Sequence, residues 1–155
     1  MKKLLIFCFL IVIVSPSIGF SQSALTKEEK VQAMYNLNKK IVESKNFNFI
    51  ATWVFSDSER GEVTEDTNTI TINKSNIYGA LTTLDANKPS VILKGSMQNY
   101  NVNFNDETHQ ITISFRIGAY NATLEVKPSG IAFLELKNSN GTEKLKYRGG
   151  LKQNF

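Results

Sequence analysis

From Phe47 the chain alternates, with Phe47, Phe49, Ala51, Trp53 and Phe55 set against Asn48, Ile50, Thr52, Val54 and Ser56. A period of two predicts a long strand, and the aromatic side reads as its core face. The same period returns in "TNTITIN" and "NIYGALTTL", two short strands about the polar "NKSN". "VILKGSMQNYNVNF" reads as one strand interrupted at Gly95 by a bulge or bend, and "QITISFRI" turns Ile111, Ile113, Phe115 and Ile117 inward. "AYNATLEV", "IAFLELK" and "EKLKYRG" follow. Their joints, "KPSG" at 127–130 and "NSNG" at 138–141, carry proline, a glycine free to take positive φ, and Asn-Gly, all turn chemistry. The expectation is a mainly β protein. About eight strands form an antiparallel meander, and so long a sheet buries one face by curling into a barrel-like form or by folding into two layers.

One segment has a different period. "LTKEEKVQAMYNLNKKIVESKNF" places Glu29 three residues after Thr26, a capping box that predicts a helix over about 27–45. Val31, Met34, Tyr35, Leu37, Ile41 and Val42 form its apolar stripe, the side expected to pack on the sheet. No repeat, proline-rich linker or low-complexity stretch marks a second domain, so residues 23–155 read as one unit.

The first 22 residues read as a secretory signal peptide, because two lysines precede an apolar run from Leu4 to Val14 and small or polar residues follow. Cys8 is the sole cysteine and leaves with that leader, so neither disulfides nor thiolate chemistry are expected in the mature chain. Loss of Lys2 and Lys3 takes the formal charge from +4 to +2, which implies no polyanionic partner. Export to the periplasm or beyond, with or without association with the envelope, is the expected localisation.

Candidate chemistry is sparse. "NFNDETHQIT" holds the single histidine, His109, beside Asp106 and Glu107, and reads as a hairpin tip with Asn105 to Thr108 turning the chain. One histidine excludes two- and three-histidine metal motifs, and the chain has no Gly-x-Ser-x-Gly elbow or phosphate-binding glycine loop. "SDSERGEVTED" has acids, among them Asp57 and Glu59, but not the spacing of a calcium loop. Paired carboxylates could still serve a hydrolase, yet the acids fall in turns or, like Glu125 and Glu135, on outward strand positions. Lys144, Lys146 and Arg148 alternate along the last strand. They read as edge-strand lysines that discourage aggregation rather than as a nucleic-acid strip.

The order of "FNFIATWVFSD", "NTITINKSNIYGAL", "LKGSMQNYNV", "ITISFRI", "VKPSGIAFLELK" and "LKYRGGL" resembles the domain of unknown function 4251 family of exported Bacteroidota proteins. The resemblance implies export and a single β-rich domain, and it supplies no activity, cofactor or site residue. The expected function is therefore non-enzymatic binding or a structural role in the periplasm or cell envelope, toward an envelope protein or a small ligand, with no cofactor. The alternatives are a carrier of a lipophilic or sugar ligand, and less favoured a carboxylate-pair hydrolase. Trp53, Tyr78, Tyr100, Tyr120 and Tyr147 are the candidate ligand-binding residues, because aromatic rings give wide contact at little entropic cost.

Overall fold

Thr26 closes the capping box: its Oγ1 accepts from the Glu29 N–H at 3.2 Å, and its own N–H donates to Glu29 Oε2 at 2.7 Å. Helix α1 runs Lys27–Glu43 and stops where Lys45 takes a φ of 50°. The computed structural model describes residues 25–56, 59–141 and 144–154. The leader expected over 1–22, Cys8 within it, and Asp57 of the acidic stretch lie outside the described residues.

The helix buries a narrower stripe than its sequence suggests. Tyr35, Asn38, Ile41 and Val42 are covered, while Met34 and Leu37 are exposed, Leu37 at 53%. At about 100° per residue Leu37 lies some 200° around the axis from Tyr35, on the far side of the helix. Asn38 takes a buried place because its Nδ2 donates to the Met34 carbonyl at 2.9 Å, which satisfies the amide inside its own turn.

Ten antiparallel strands follow among the described residues: β1 (Asn46–Phe55), β2 (Arg60–Glu62), β3 (Thr69–Asn73), β4 (Asn76–Thr82), β5 (Ser90–Ser96), β6 (Gln98–Asn105), β7 (Gln110–Ile117), β8 (Tyr120–Val126), β9 (Ala132–Asn138) and β10 (Lys144–Gln153). They form one sheet in the order β5-β4-β3-β1-β10-β9-β8-β7-β6, with β2 added beside β1. The sheet curls into a half-barrel, and α1 packs on it. The count exceeds eight for two reasons. Short β2 pairs with the end of β1, and "VILKGSMQNYNVNF" is two strands that stand at opposite ends of the sheet, joined by Met97 alone. Gly95 of β5 lies against Ile117 of β7, so the two ends approach each other across this joint.

The core occupies the inner face, filled by Phe47, Phe49, Ile70, Ile72, Leu81, Leu93, Ile111, Ile113, Leu124, Leu134 and Tyr147, each under 2% exposed. β10 is not an edge: β1 pairs with it on one side and β9 on the other. The edge-strand account of Lys144, Lys146 and Arg148 is thereby overturned, since these cations stand on a strand hydrogen-bonded along both flanks.

β1 also departs from its alternation. Its register with β10 shifts between Ala51 and Trp53, a β-bulge at Thr52. Phe47, Phe49 and Ala51 face inward as expected, but beyond the bulge Val54 takes the inner position, and Trp53 and Phe55 turn outward. Gly149 makes this possible. A Cβ there would lie 1.9 Å from the Ile50 carbonyl oxygen, so the backbone passes where no side chain fits.

Candidate functional site

The five aromatic candidates are spread over both faces and do not line one cavity. Tyr147 is completely buried in the core. Tyr100 stacks on Phe115 at 6.4 Å on the inner side of β6, with its hydroxyl buried and without a partner among the described residues. Burial raises the pKa of that hydroxyl above the usual tyrosine value. Tyr120 accepts from Lys88 Nζ at 2.8 Å where the β4–β5 loop crosses the end of β8. Tyr78 is 49% exposed on the outer face of β4, two positions along from the exposed Ile92 of edge strand β5. Trp53, also outward, is the one that joins a larger constellation.

Around Trp53 the strand registers build two rows across the outer face. The first runs Glu62, Trp53, Arg148, Phe133, Glu125, Thr112, Asn103; the second runs Arg60, Phe55, Lys146, Glu135, Thr123, Ser114, Asn101. Trp53 and Phe55 stack at 6.4 Å with their planes 24° apart. Lys146 Nζ stands 5.4 Å from the Phe133 ring centroid, a cation–π contact. Thr123, Glu125, Phe133, Glu135 and Lys146 line a shallow recess of about 140 Å³.

The recess holds two carboxylates, diagonal neighbours on β8 and β9. Each is engaged by a cation: Lys127 Nζ donates to Glu125 Oε2 at 2.7 Å, and Lys144 Nζ lies 3.2 Å from Glu135 Oε2. Lys146 and Arg148, both exposed, have no ion pair among the described residues. The aromatic end of the face is thus the cationic end, and it grades into hydroxyls and amides toward β6.

Of these residues sequence reasoning had singled out Trp53 as a ligand candidate. Phe133 was readable as outward, since it shares parity with Glu135 and Lys137 while Ala132, Leu134 and Leu136 are buried. Phe55 was hidden by the bulge. That Phe133 and Trp53 stand in one row depends on β10 pairing with β1, the most distant pairing in the chain.

The histidine stretch is a hairpin tip, as expected, but it docks on the helix. Asn105 Oδ1 accepts the N–H groups of Glu107 and Thr108 at 3.1 and 2.9 Å, and His109, with a φ of 53°, closes the turn before β7 begins at Gln110. Asp106 Oδ1 accepts from Tyr35 Oη at 2.6 Å and from Lys39 Nζ at 3.0 Å. These bonds hold the Asp106 carboxyl below the usual carboxylate range. Burial first, and the Asp106 carboxylate next, push the Tyr35 hydroxyl up to about 12. His109 Nε2 lies 2.8 Å from Gln32 Oε1, and its ring stands edge-on to Tyr35 at 5.3 Å. His109 therefore bonds to the helix and not to Asp106 or Glu107. Beside it an open groove of about 410 Å³ follows the first turns of α1.

A family model described as Domain of unknown function (DUF4251) matches residues 28–151. The chain belongs to the DUF4251 family. The match reaches further than the strand motifs alone, since it begins in the first turn of α1 and ends in β10. No curated protein matches the chain. Among solved structures, a crystal structure of a DUF4251 family protein from Bacteroides eggerthii superposes with a TM-score of 0.65 at 17% identity, covering 79% of this chain and 89% of that one. At that identity the DUF4251 likeness concerns the fold, and it assigns no role to the outer face.

Proposed function

We propose that this protein is an exported, non-enzymatic binding protein of the periplasm or cell envelope, and that it binds through the outer-face platform of Trp53, Phe55 and Phe133 with Lys146 and Arg148. The observation that carries this reading is the bulge in β1. It gives the inner position to Val54, leaves two large rings half-exposed on the outer face, and stacks them beside two cations that have no ion-pair partner among the described residues. Export rests on the character of residues 1–22; among the described residues no helix is long and apolar enough to cross a membrane.

The carrier reading has less behind it, because the inner face is filled by its own side chains and the five candidate rings do not share a space. A hydrolase would need free acids in a cleft, whereas Glu125 and Glu135 are each held by a lysine.

Trp53 is the sole tryptophan, so its emission reports on the platform directly. Titration of the mature protein with envelope glycans and peptides should shift that emission, and Phe133→Ala should weaken the response. Binding that leaves Trp53 emission unchanged and ignores Phe133→Ala would place the site elsewhere. Turnover of glycosides, esters or peptides by purified protein would end the non-enzymatic reading.

A further inference from the structure

We infer that the ligand of the outer-face platform is an acidic glycan, a polysaccharide whose sugar rings carry carboxylates. The inference rests on the binding reading above and adds the chemical class.

Trp53 and Phe133 lie in one row with the Arg148 strand between them, roughly 10 Å apart at the usual strand spacing. Rings at that separation suit alternate sugars of an extended chain, with the C–H face of a pyranose packing on the Trp53 face turned away from Phe55 and on the Phe133 face turned away from Lys146. Arg148 then stands under the intervening sugar, and Lys146 one row below it. Both cations are exposed and lack an ion pair among the described residues, so a sugar carboxylate gives them a charge-assisted partner.

The rest of the rows separates a sugar from other anions. Glu125, Glu135, Thr123, Thr112 and Ser114 can accept hydrogen bonds from sugar hydroxyls, and the last three can also donate. A phosphodiester backbone offers no donor to the two glutamates and meets only their negative charge. The uneven face, aromatic on β1 and β9 with the cations on β10 between them and hydroxyl-rich on β8 and β7, matches a chain that is mostly hydroxyl with one charge per ring.

The test uses the mature chain, polygalacturonate as the acidic probe and its fully methyl-esterified form as the same backbone without charge. Polyglutamate and single-stranded DNA serve as non-sugar polyanions. Polygalacturonate should shift Trp53 emission and bind at least tenfold more tightly than the ester, with affinity falling as salt rises. Lys146→Gln with Arg148→Gln, both at exposed positions, should bring the two polymers to equal affinity, with an unchanged circular dichroism spectrum as the check on folding.

Equal affinity of unaltered protein for polymer and ester would overturn the acidic class. Equal binding of polyglutamate or DNA would overturn the sugar. Silence from polygalacturonate would also overturn the inference, whereas the platform itself falls only if another ligand binds without regard to Trp53 and Phe133. The two failures are therefore distinguishable.

Discussion

The two ends of β1 carry the same kind of sequence and do opposite things. Phe47 and Phe49 are sealed in the core, while Trp53 and Phe55, which continue the same alternation, stand on the outer face. One bulge at Thr52 separates them. Period two fixes which residues share a side only while the register holds, and one extra residue exchanges the two sides. The first half of the strand serves stability and the second half presents a surface.

This contrast is open to direct tests. Phe49→Ala should cost about 3–5 kcal/mol in urea unfolding, since the ring is buried and its loss leaves a cavity. Trp53→Ala should cost about 1 kcal/mol and abolish platform binding, because the ring is half-buried and stacks on Phe55. Equal costs at the two positions would contradict the division of β1.

Gly149→Ala attacks the bulge itself. Its Cβ would meet the Ile50 carbonyl at 1.9 Å, so β1 and β10 must move apart or lose register. A loss of about 3 kcal/mol is expected, with weaker ligand binding as Trp53 is displaced. An unaffected Trp53 emission spectrum would show that the outward turn does not depend on this glycine.

Much of the fold was legible because it is locally written. Thr26 and Glu29 announce the helix, Gly130 and Gly141 take the positive φ their turns need, and β7 to β9 bury the residues their alternation selects. What was not legible depends on distant partners. The break at Met97 sends β5 and β6 to opposite ends of the sheet, a consequence of curling that no local signal near Gly95 states. The platform could not be assembled either. Its rows arise from β1–β10 pairing between segments about a hundred residues apart, and Lys146 reads as an edge lysine until both neighbours of β10 are known.

The inside–outside distinction recurs at the joint between α1 and the β6–β7 hairpin, with Tyr35 inside it and Asp106 at its mouth. Tyr35→Phe removes the 2.6 Å bond to Asp106 and should cost about 1 kcal/mol at neutral pH, below the usual range for a charged acceptor because the exposed Asp106 can be solvated instead. The pH profile reports the hydroxyl, which burial first and the Asp106 carboxylate next keep protonated. Tyr35 is raised from 10.0 to about 12, so its contribution is present below pH 10 and is lost as pH rises toward 12. Unaltered protein should therefore lose stability above about pH 10 faster than Tyr35→Phe, which narrows the difference between them. Asp106 is lowered, so its share is present above the usual carboxylate range and disappears as acid protonates it, a limb that Asp106→Asn should lack.

His109 sits at the rim of the same joint, and the smallest effect belongs to it. Replacement by alanine removes one bond to Gln32, an edge contact with Tyr35, and a residue type that tolerates a φ of 53° better than alanine does. Each is worth a few tenths of a kcal/mol where water can take over, so His109→Ala should cost less than about 1 kcal/mol. His109→Gly should cost less still, because glycine adopts positive φ freely and offsets part of the lost contacts. Neither change should alter binding at the outer face, from which this hairpin tip is separate. A loss above about 2 kcal/mol would move His109 from the rim of the joint to its interior, and would make it a partner of Tyr35 in holding the helix to the sheet.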